Sequence, residues 1–337
     1  MIEGHGDDLH RYAGRIRHNF SSNILSGVDH AGLRSHLIEA LGRIGHYPPP
    51  APHTLCSGIA RKWGVSPDNI AVTNGVCDCI YRIAQLNAGR RSDIVAPTFR
   101  EYQDACRRYA HEIRFISSPD EVADDAECLW VCSPDNPTGR VWDADSLLAL
   151  AAADRGRLIV IDQAYSDYTS LRGVTPEECV EAANIILLKS LTKRYSVPGL
   201  RVGYAVASCG VADSLRGLGI PWEVNTVTLA GAEYLLAHDG DYVIPAASLH
   251  AEIERMAEKF RRIGIHCFPT DCNFMLCRLP KGRARDLKEW LALRHGLLIR
   301  DASNFEGLSE EYFRVAAQRP DANDELTDRI KEWIYMQ

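Results

Sequence analysis

The stretch SLTKRYSVPGLRVGY, Ser190 to Tyr204, decides how the rest of the chain is read. One lysine, Lys193, follows two hydroxyl residues, Ser190 and Thr192. The chain then turns through Pro-Gly-Leu-Arg into RVGYAVA, an apolar run with the composition of a strand. A lysine in a polar loop is ordinarily a solvated charge. Held among apolar walls and beside a cation such as Arg201, it has a lowered pKa, as an imine-forming amine needs. Hydroxyls together with an arginine also make a phosphate clamp.

Upstream, short apolar runs rich in β-branched residues recur: NIAVTN from Asn69, DIVAP from Asp93, CLWVCSP from Cys128, RLIVIDQAY from Arg157 and NIILLKS from Asn184. Most are separated by segments with helical spacing, such as DSLLALAAADRG from Asp145. Strand, helix and strand in series predict an α/β unit with a mainly parallel sheet, and nearly continuous apolar strands predict cover on both faces. After about residue 235 the texture changes. Leu249, Ile253, Met256, Phe260 and Ile263 mark one face of a long amphipathic helix, with Gly264 placed to end it. The expected organisation is a large α/β domain over residues 38–239 and a smaller α+β domain over 240–337. Residues 1–37 are expected to pack on the smaller one.

The 337 residues, 46% apolar, suffice for a sizeable core and more than one packed unit. The net charge of −7 and the lack of any Lys/Arg-rich run argue against a nucleic-acid partner. No apolar stretch approaches the length of a membrane span. Eleven cysteines lie between Cys56 and Cys277, behind a polar, acidic N-terminus that is unlike a secretory signal. Reduced thiols in a cytoplasm are the expectation. CDC at Cys77 to Cys79 has no second Cys/His pair at ligand spacing, so no metal is expected. A nicotinamide-dependent dehydrogenase would also suit a parallel α/β sheet, but no G-x-G-x-x-G follows a strand.

In an open parallel sheet, ligands sit beyond the carboxyl ends of the strands, so the polar residues there carry the chemistry. TNGVCDC places Gly75 between a strand and a helix start. The free amides of Gly75, Val76 and Cys77 would face an anion there, although an ordinary strand-to-helix turn reads the same way. Tyr102, in APTFREY, could stack on a flat cofactor ring or serve as core. SPDNPTG is more specific, because two prolines and a glycine fix an irregular loop that projects Asn136. VIDQAY ends an apolar strand in Asp162 and Tyr165. A carboxylate there is costly unless paired with a protonated ring nitrogen or a structural arginine.

The ordered set of SPDNPTGR, IDQAY and SLTKRYSVPGLRVGY resembles the class I/II aminotransferase superfamily of pyridoxal-phosphate enzymes, fold type I, over almost the whole chain. The resemblance implies a seven-stranded-type sheet in the large domain and a homodimer. It implies Lys193 as the imine-forming residue and proton shuttle. Asp162 would keep the pyridine nitrogen protonated, Asn136 and Tyr165 would hold the ring's phenolate oxygen, and Tyr102 would stack on the ring. Gly75, Val76, Cys77, Ser190 and Arg201 would hold the cofactor phosphate, joined by Tyr47, in HYPPP, from the neighbouring subunit.

Within that superfamily the chain resembles the L-threonine-O-3-phosphate decarboxylases, with histidinol-phosphate aminotransferases as near kin. IPWEVNT, IRDASNFEGLSEEYFRVA, GHGDD and NFSSNI carry the likeness. It implies Arg314 as the clamp for a substrate carboxylate, and Arg300, His5 and Asn23 as a second anion site for a substrate phosphate. Two arginines fit a substrate with two anionic ends. Read alone, Arg300 could instead pair with Asp301. Four departures mark an outlying branch. The Asn-Pro after NFSSNI is missing, Pro49 stands where Asp is common, Gln163 where Glu is common, and Asp7 where the decarboxylases often have a second Gly.

Overall fold

The computed structural model describes residues 6–337, so His5 lies outside the described residues. Its larger sheet has seven strands in the spatial order 70–73, 203–206, 185–190, 158–162, 128–132, 91–95, 112–116. All run parallel except Gly203–Val206, which is antiparallel to both neighbours. The strand Glu112–Ile116 was not among the runs singled out in sequence. It lies at the sheet edge with Glu112 and Arg114 exposed, so it alternates instead of reading as continuously apolar.

The alternation of strand side chains explains why the central runs are apolar throughout. Val72, Val131, Ile161 and Leu187 point to one face, packed under helices His53–Trp63, Ala144–Ala153 and Thr226–Ala237. Ala71, Trp130, Val160 and Leu188 point to the other, packed under Val76–Leu86, Glu101–Arg108 and Cys209–Gly217. Both faces are buried, as expected of a sheet with helices on each side.

The second sheet has four antiparallel strands in the order Arg300–Asp301, Tyr312–Ala316, Phe274–Arg278, His266–Cys267. Helices Ala246–Arg261, Ala284–His295 and Pro320–Met336 supply its core. Leu249, Ile253, Met256 and Phe260 are buried there, as the helical spacing predicts. The N-terminal segment bridges the two sheets. His18–Asn19 pairs in parallel with Leu297–Leu298, and Phe20 enters the smaller core. Helix Ala31–Leu41 packs instead on Thr226–Ala237 of the larger layer.

Register assembles the site. Cys132 is level with Asp162, and Asp162 with Leu188. Gly203 opens its antiparallel strand opposite both Thr73 and Ser190. The residues just before Gly203 therefore reach the same edge as the carboxyl ends of the parallel strands.

Candidate active site

Two adjoining cavities lie at that edge, and Asp7, Phe99, Asn136, Tyr165, Lys193 and Pro198 border both. The inner cavity also meets Val76, Cys77, Asp162, Ser190 and Arg201. Gly75 precedes helix Val76–Leu86 without any side-chain cap, so the first amides of that helix remain available to an anion. The geometry demands glycine twice here. Gly75 has φ +85°, and a Cβ on it would meet the Arg201 guanidinium at 2.8 Å. A Cβ on Gly203 would lie 2.8 Å from the Val76 amide nitrogen. Arg201 itself donates to the Pro198 carbonyl at 3.2 Å. Ser190 caps the short helix Leu191–Arg194, its hydroxyl accepting from the Lys193 amide at 3.4 Å.

Lys193 donates from Nζ to the Ser22 carbonyl at 2.9 Å and lies over the Tyr165 ring, 5.4 Å from its centroid. Burial, then the charge of Arg314, lowers its pKa to about 8. Asp162 is 3% exposed. Its carboxylate accepts from the Tyr102 hydroxyl at 2.7 Å and from the Ala164 amide at 2.8 Å, and burial raises its pKa. No cationic side chain among the described residues pairs with it, so the structural arginine left open by the sequence is not its partner. A buried carboxylate on a cavity wall, an uncapped helix start beside an arginine, and a lysine of lowered pKa fit pyridoxal phosphate at its ring nitrogen, phosphate and aldehyde.

Tyr102 borders the inner cavity, is 1% exposed, stacks on Trp130 at 5.8 Å and spends its hydroxyl on Asp162. Phe99, three residues earlier and edge-on to Tyr102, borders both cavities and is a second aromatic at the site, one to which the sequence reading gave no role.

The outer cavity adds Gly6, Ser21, Ser22, Arg100, Arg300, Phe305 and Arg314 to the shared wall. Asp135 anchors the loop that carries Asn136, accepting from the hydroxyls of Thr98 and Thr138, both at 2.7 Å. Asn136 accepts from Arg314 Nη1, and the Ser21 carbonyl accepts from Arg314 Nη2. Arg314 Nε is buried without a hydrogen-bond partner. Arg300 donates to Asn304 at 2.7 Å and lies over the Phe305 ring. Asp301, its sequence alternative, instead accepts from the Ser303 amide. Burial lowers both arginines to about 10.

Asn23 is 0% exposed and borders neither cavity, and its side-chain amide interacts with the Tyr165 hydroxyl. Tyr47 is 83% exposed and packs on Trp222 at 5.0 Å, lining a surface cleft apart from both cavities. Asp7, Ser22 and Arg100 are among the wall residues for which the sequence offered no role. Among the described residues no three His, Cys, Asp or Glu side chains converge as a metal set, and no helix is long and apolar enough to cross a membrane.

An α/β body whose parallel sheet is covered by helices on both faces, with a lysine, a buried carboxylate and an anion cradle at one strand edge, defines a pyridoxal-phosphate enzyme of fold type I. The profile of the family Aminotransferase class I and II matches residues 18–330, and the chain belongs to that family. It is 29% identical over 332 residues to a threonine-phosphate decarboxylase of Salmonella typhimurium, covering 93% of this chain and 90% of that one. It is 26% identical over 314 residues to a histidinol-phosphate aminotransferase of Pyrococcus furiosus, covering 90% and 88%. Among solved structures, L-threonine-O-3-phosphate decarboxylase from Porphyromonas gingivalis superposes with a TM-score of 0.91 at 33% identity, covering 94% of this chain and 99% of that one. Histidinol-phosphate aminotransferase from Sinorhizobium meliloti, in complex with pyridoxal-5'-phosphate, has the same fold, with a TM-score of 0.85 at 22% identity, covering 97% and 93%.

Proposed function

We propose that this protein is a pyridoxal-phosphate-dependent decarboxylase of a small phosphorylated amino acid, of the L-threonine-O-3-phosphate type. The observation that carries this reading is the pair of buried arginines, Arg300 and Arg314, which face one cavity beside Lys193 with no carboxylate paired to either among the described residues. A site built this way receives two anionic ends from its ligand.

When bound, pyridoxal phosphate supplies a carbonyl for an amine and a ring that accepts the electron pair released at Cα. Val76, Cys77, Ser190 and Arg201, with Gly75 leaving room, hold its phosphate. Asp162 holds a proton on its ring nitrogen, and Tyr102 fixes that carboxylate from behind. Asn136 and Tyr165 take the phenolate oxygen, and Phe99 takes the ring face in place of Tyr102. Lys193 would supply the amine that links the cofactor and, once free, the base that moves a proton at the substrate's Cα. Arg314 holds the substrate carboxylate. Arg300 holds the substrate phosphate, the role that the resemblance also gives to His5 and Asn23.

The positions of Arg314 and Arg300 would fix which bond of the substrate's Cα is presented for cleavage. Loss of the carboxylate would release CO2, and Lys193 Nζ would supply the proton that replaces it at Cα. Loss of the Cα hydrogen would instead have Lys193 Nζ accept that proton, as transamination requires. The second reading, transamination of histidinol phosphate, is favoured by Asp7. A carboxylate in the cavity suits a substrate with one anionic end and a hydrogen-bond donor better than one with two anions.

The proposal includes a cytoplasmic location, supported by eleven unpaired cysteines, nine of them buried. It also includes a homodimer in which Tyr47 reaches the partner's cofactor phosphate, supported by its exposure. The test is the visible spectrum of the purified protein mixed with L-threonine phosphate while CO2 is measured. A band that shifts and recovers as CO2 appears supports the decarboxylase. Conversion to the pyridoxamine form without CO2 overturns it in favour of the aminotransferase.

A further inference from the structure

The outer cavity contains a third guanidinium that the two-anchor scheme leaves unused. Arg100 lines it together with Arg300, Arg314 and Asp7. Its backbone follows Phe99 directly and opens helix Glu101–Arg108. The side chain is 31% exposed, and its Nε lies 3.3 Å from Asp104 Oδ2 without the alignment of a hydrogen bond. A cation at the first turn of a helix opposes the helix dipole, and the contact with Asp104 is the one ion pair that the local fold gives it among the described residues. Its charge also acts on Arg300, whose pKa is lowered by burial, by Arg314 and, more weakly, by Arg100. Three cations therefore converge on one space.

Asp7 makes that third cation necessary. It stands in the left-handed region, φ 61°, which tolerates Asp better than most residues and favours Gly. Its amide donates to Ser21 Oγ at 3.2 Å and its Oδ1 accepts from Asn19, so the carboxylate is fixed on the wall shared by both cavities. The charge of Asp7 acts on Lys193; with Lys193 engaged by the cofactor, Asp7, Arg300 and Arg314 together leave the outer cavity a net charge of about +1 for a ligand with a carboxylate and a phosphate of roughly −1.5 to −2. Arg100 restores about +2.

We infer that Arg100 is a specificity-determining residue that holds the phosphate end of the substrate with Arg300 and offsets the carboxylate of Asp7. This rests on the phosphorylated-substrate reading above. The competing account is a helix-surface ion pair with Asp104 that serves only the fold.

The experiment uses the cofactor-loaded protein and 3-phosphonopropionate, which has a carboxylate and a phosphonate but no amine and so does not turn over. Its affinity is measured by titration calorimetry for wild type, Arg100→Gln, Arg100→Lys, Asp7→Asn and the double variant Arg100→Gln/Asp7→Asn. Arg100→Gln is expected to weaken binding about tenfold or more, the scale of one lost charge-assisted hydrogen bond. Arg100→Lys should recover most of that loss, Asp7→Asn should tighten binding, and the double variant should return towards wild type. Melting temperature and the visible cofactor band, followed in parallel, show whether each variant is folded and loaded. Binding by Arg100→Gln that equals a measurable wild-type affinity overturns the role of Arg100 and leaves the substrate reading standing. A loaded wild-type protein that does not bind the probe at millimolar concentration overturns the phosphorylated-substrate reading and this inference with it.

Discussion

Arg300 and Arg314 stand directly opposite each other in antiparallel register, 7% and 4% exposed, on neighbouring strands of the smaller sheet. Like charges in that relation destabilise a sheet, typically by roughly 0.2–1 kcal/mol beyond the cost of burying each charge. On the proposed function, an anion held between its members and the inner wall would offset that cost. Arg300→Leu should therefore raise the thermal stability of the ligand-free protein, by on the order of 1 kcal/mol, while abolishing stabilisation by 3-phosphonopropionate. Scanning calorimetry with and without that ligand checks both signs. A variant that melts lower without ligand would mean that Asn304 and Phe305 already satisfy Arg300.

Lys193 gives the protein a pH signature of an uncommon sign. Its folded pKa is lowered from 10.5 to about 8, burial being the main cause. Between about pH 8 and 10.5 the unfolded chain holds a proton that the folded chain has lost, so stability rises with pH in that window. Below about pH 8 the cost of burying the ammonium is fully present. Lys189, also lowered to about 8 by burial, contributes in the same direction. In cofactor-free protein, Lys193→Met should flatten the rise without removing it, as read from urea unfolding at pH 7.5, 9 and 10. The same variant, loaded with cofactor, should lose the visible band while keeping its fold. A surviving band would mean that another amine holds the cofactor.

Gly203 tests the phosphate cradle without touching a charged group. The added methyl of Gly203→Ala would lie 2.8 Å from the Val76 nitrogen and 3.0 Å from Val76 Cγ2, and a backbone amide is not a neighbour that can swing away. The helix start must shift, carrying the Val76 and Cys77 amides with it. Cofactor retention should fall about tenfold or more, the scale of one displaced charge-assisted hydrogen bond. Gly199→Ala is the control, because no atom lies within 4 Å of its built Cβ. Equilibrium dialysis against free pyridoxal phosphate measures both, and equal retention would dissociate the cradle from the Gly203 contact.

How much was legible in sequence follows from how local each feature is. The central strands were legible because burial on both faces makes Cys128–Cys132, Leu158–Asp162 and Ile185–Ser190 apolar up to the polar residues at the carboxyl ends of the last two. The edge strand Glu112–Ile116 was not, because one of its faces meets water. Lys193, Asp162 and Asn136 stood out because each sits in a loop or strand end whose neighbours are too specific for a plain turn. Phe99 was not legible, because nothing in APTFREY tells a cavity-facing ring from a core one, and in the structure both Phe99 and Tyr102 border the inner cavity. Asp7 and Arg100 meet only in space. They lie 93 residues apart, counting 100 − 7, and no periodicity connects them.

The division between Phe99 and Tyr102 has separable consequences. Tyr102→Phe removes one hydrogen bond to a buried carboxylate and keeps the ring on Trp130, so it should destabilise the fold by about 1–3 kcal/mol. Asp162 then binds protons more readily, and catalytic activity should fall further at acid pH than at pH 8. Phe99→Leu should leave stability nearly unchanged and weaken cofactor binding several-fold by removing an aromatic face, a contact worth about 0.5–1.5 kcal/mol. Unfolding curves and cofactor dialysis on the two variants separate the roles. The reverse pattern would return the stacking role to Tyr102.

Tyr47 carries the remaining prediction, because no catalytic role within its own chain accounts for it. Its ring is 83% exposed, and Ile44, Ile220 and Trp222 nearby are 66%, 72% and 47% exposed. Ile44, Tyr47 and Trp222 line one surface cleft, a cluster of large apolar side chains that a lone subunit would leave in water. Covered by a second copy, that surface would carry the Tyr47 hydroxyl towards the partner's cofactor phosphate. Tyr47→Phe should keep the dimer and weaken cofactor retention about tenfold, the scale of one hydrogen bond to a charged group. Trp222→Ala should loosen the dimer itself. Sedimentation velocity gives the assembly state and dialysis gives the retention, each measured on both variants. A wild-type monomer with normally held cofactor, or a Tyr47→Phe dimer that holds it as tightly as wild type, would show that the phosphate site is completed within one chain.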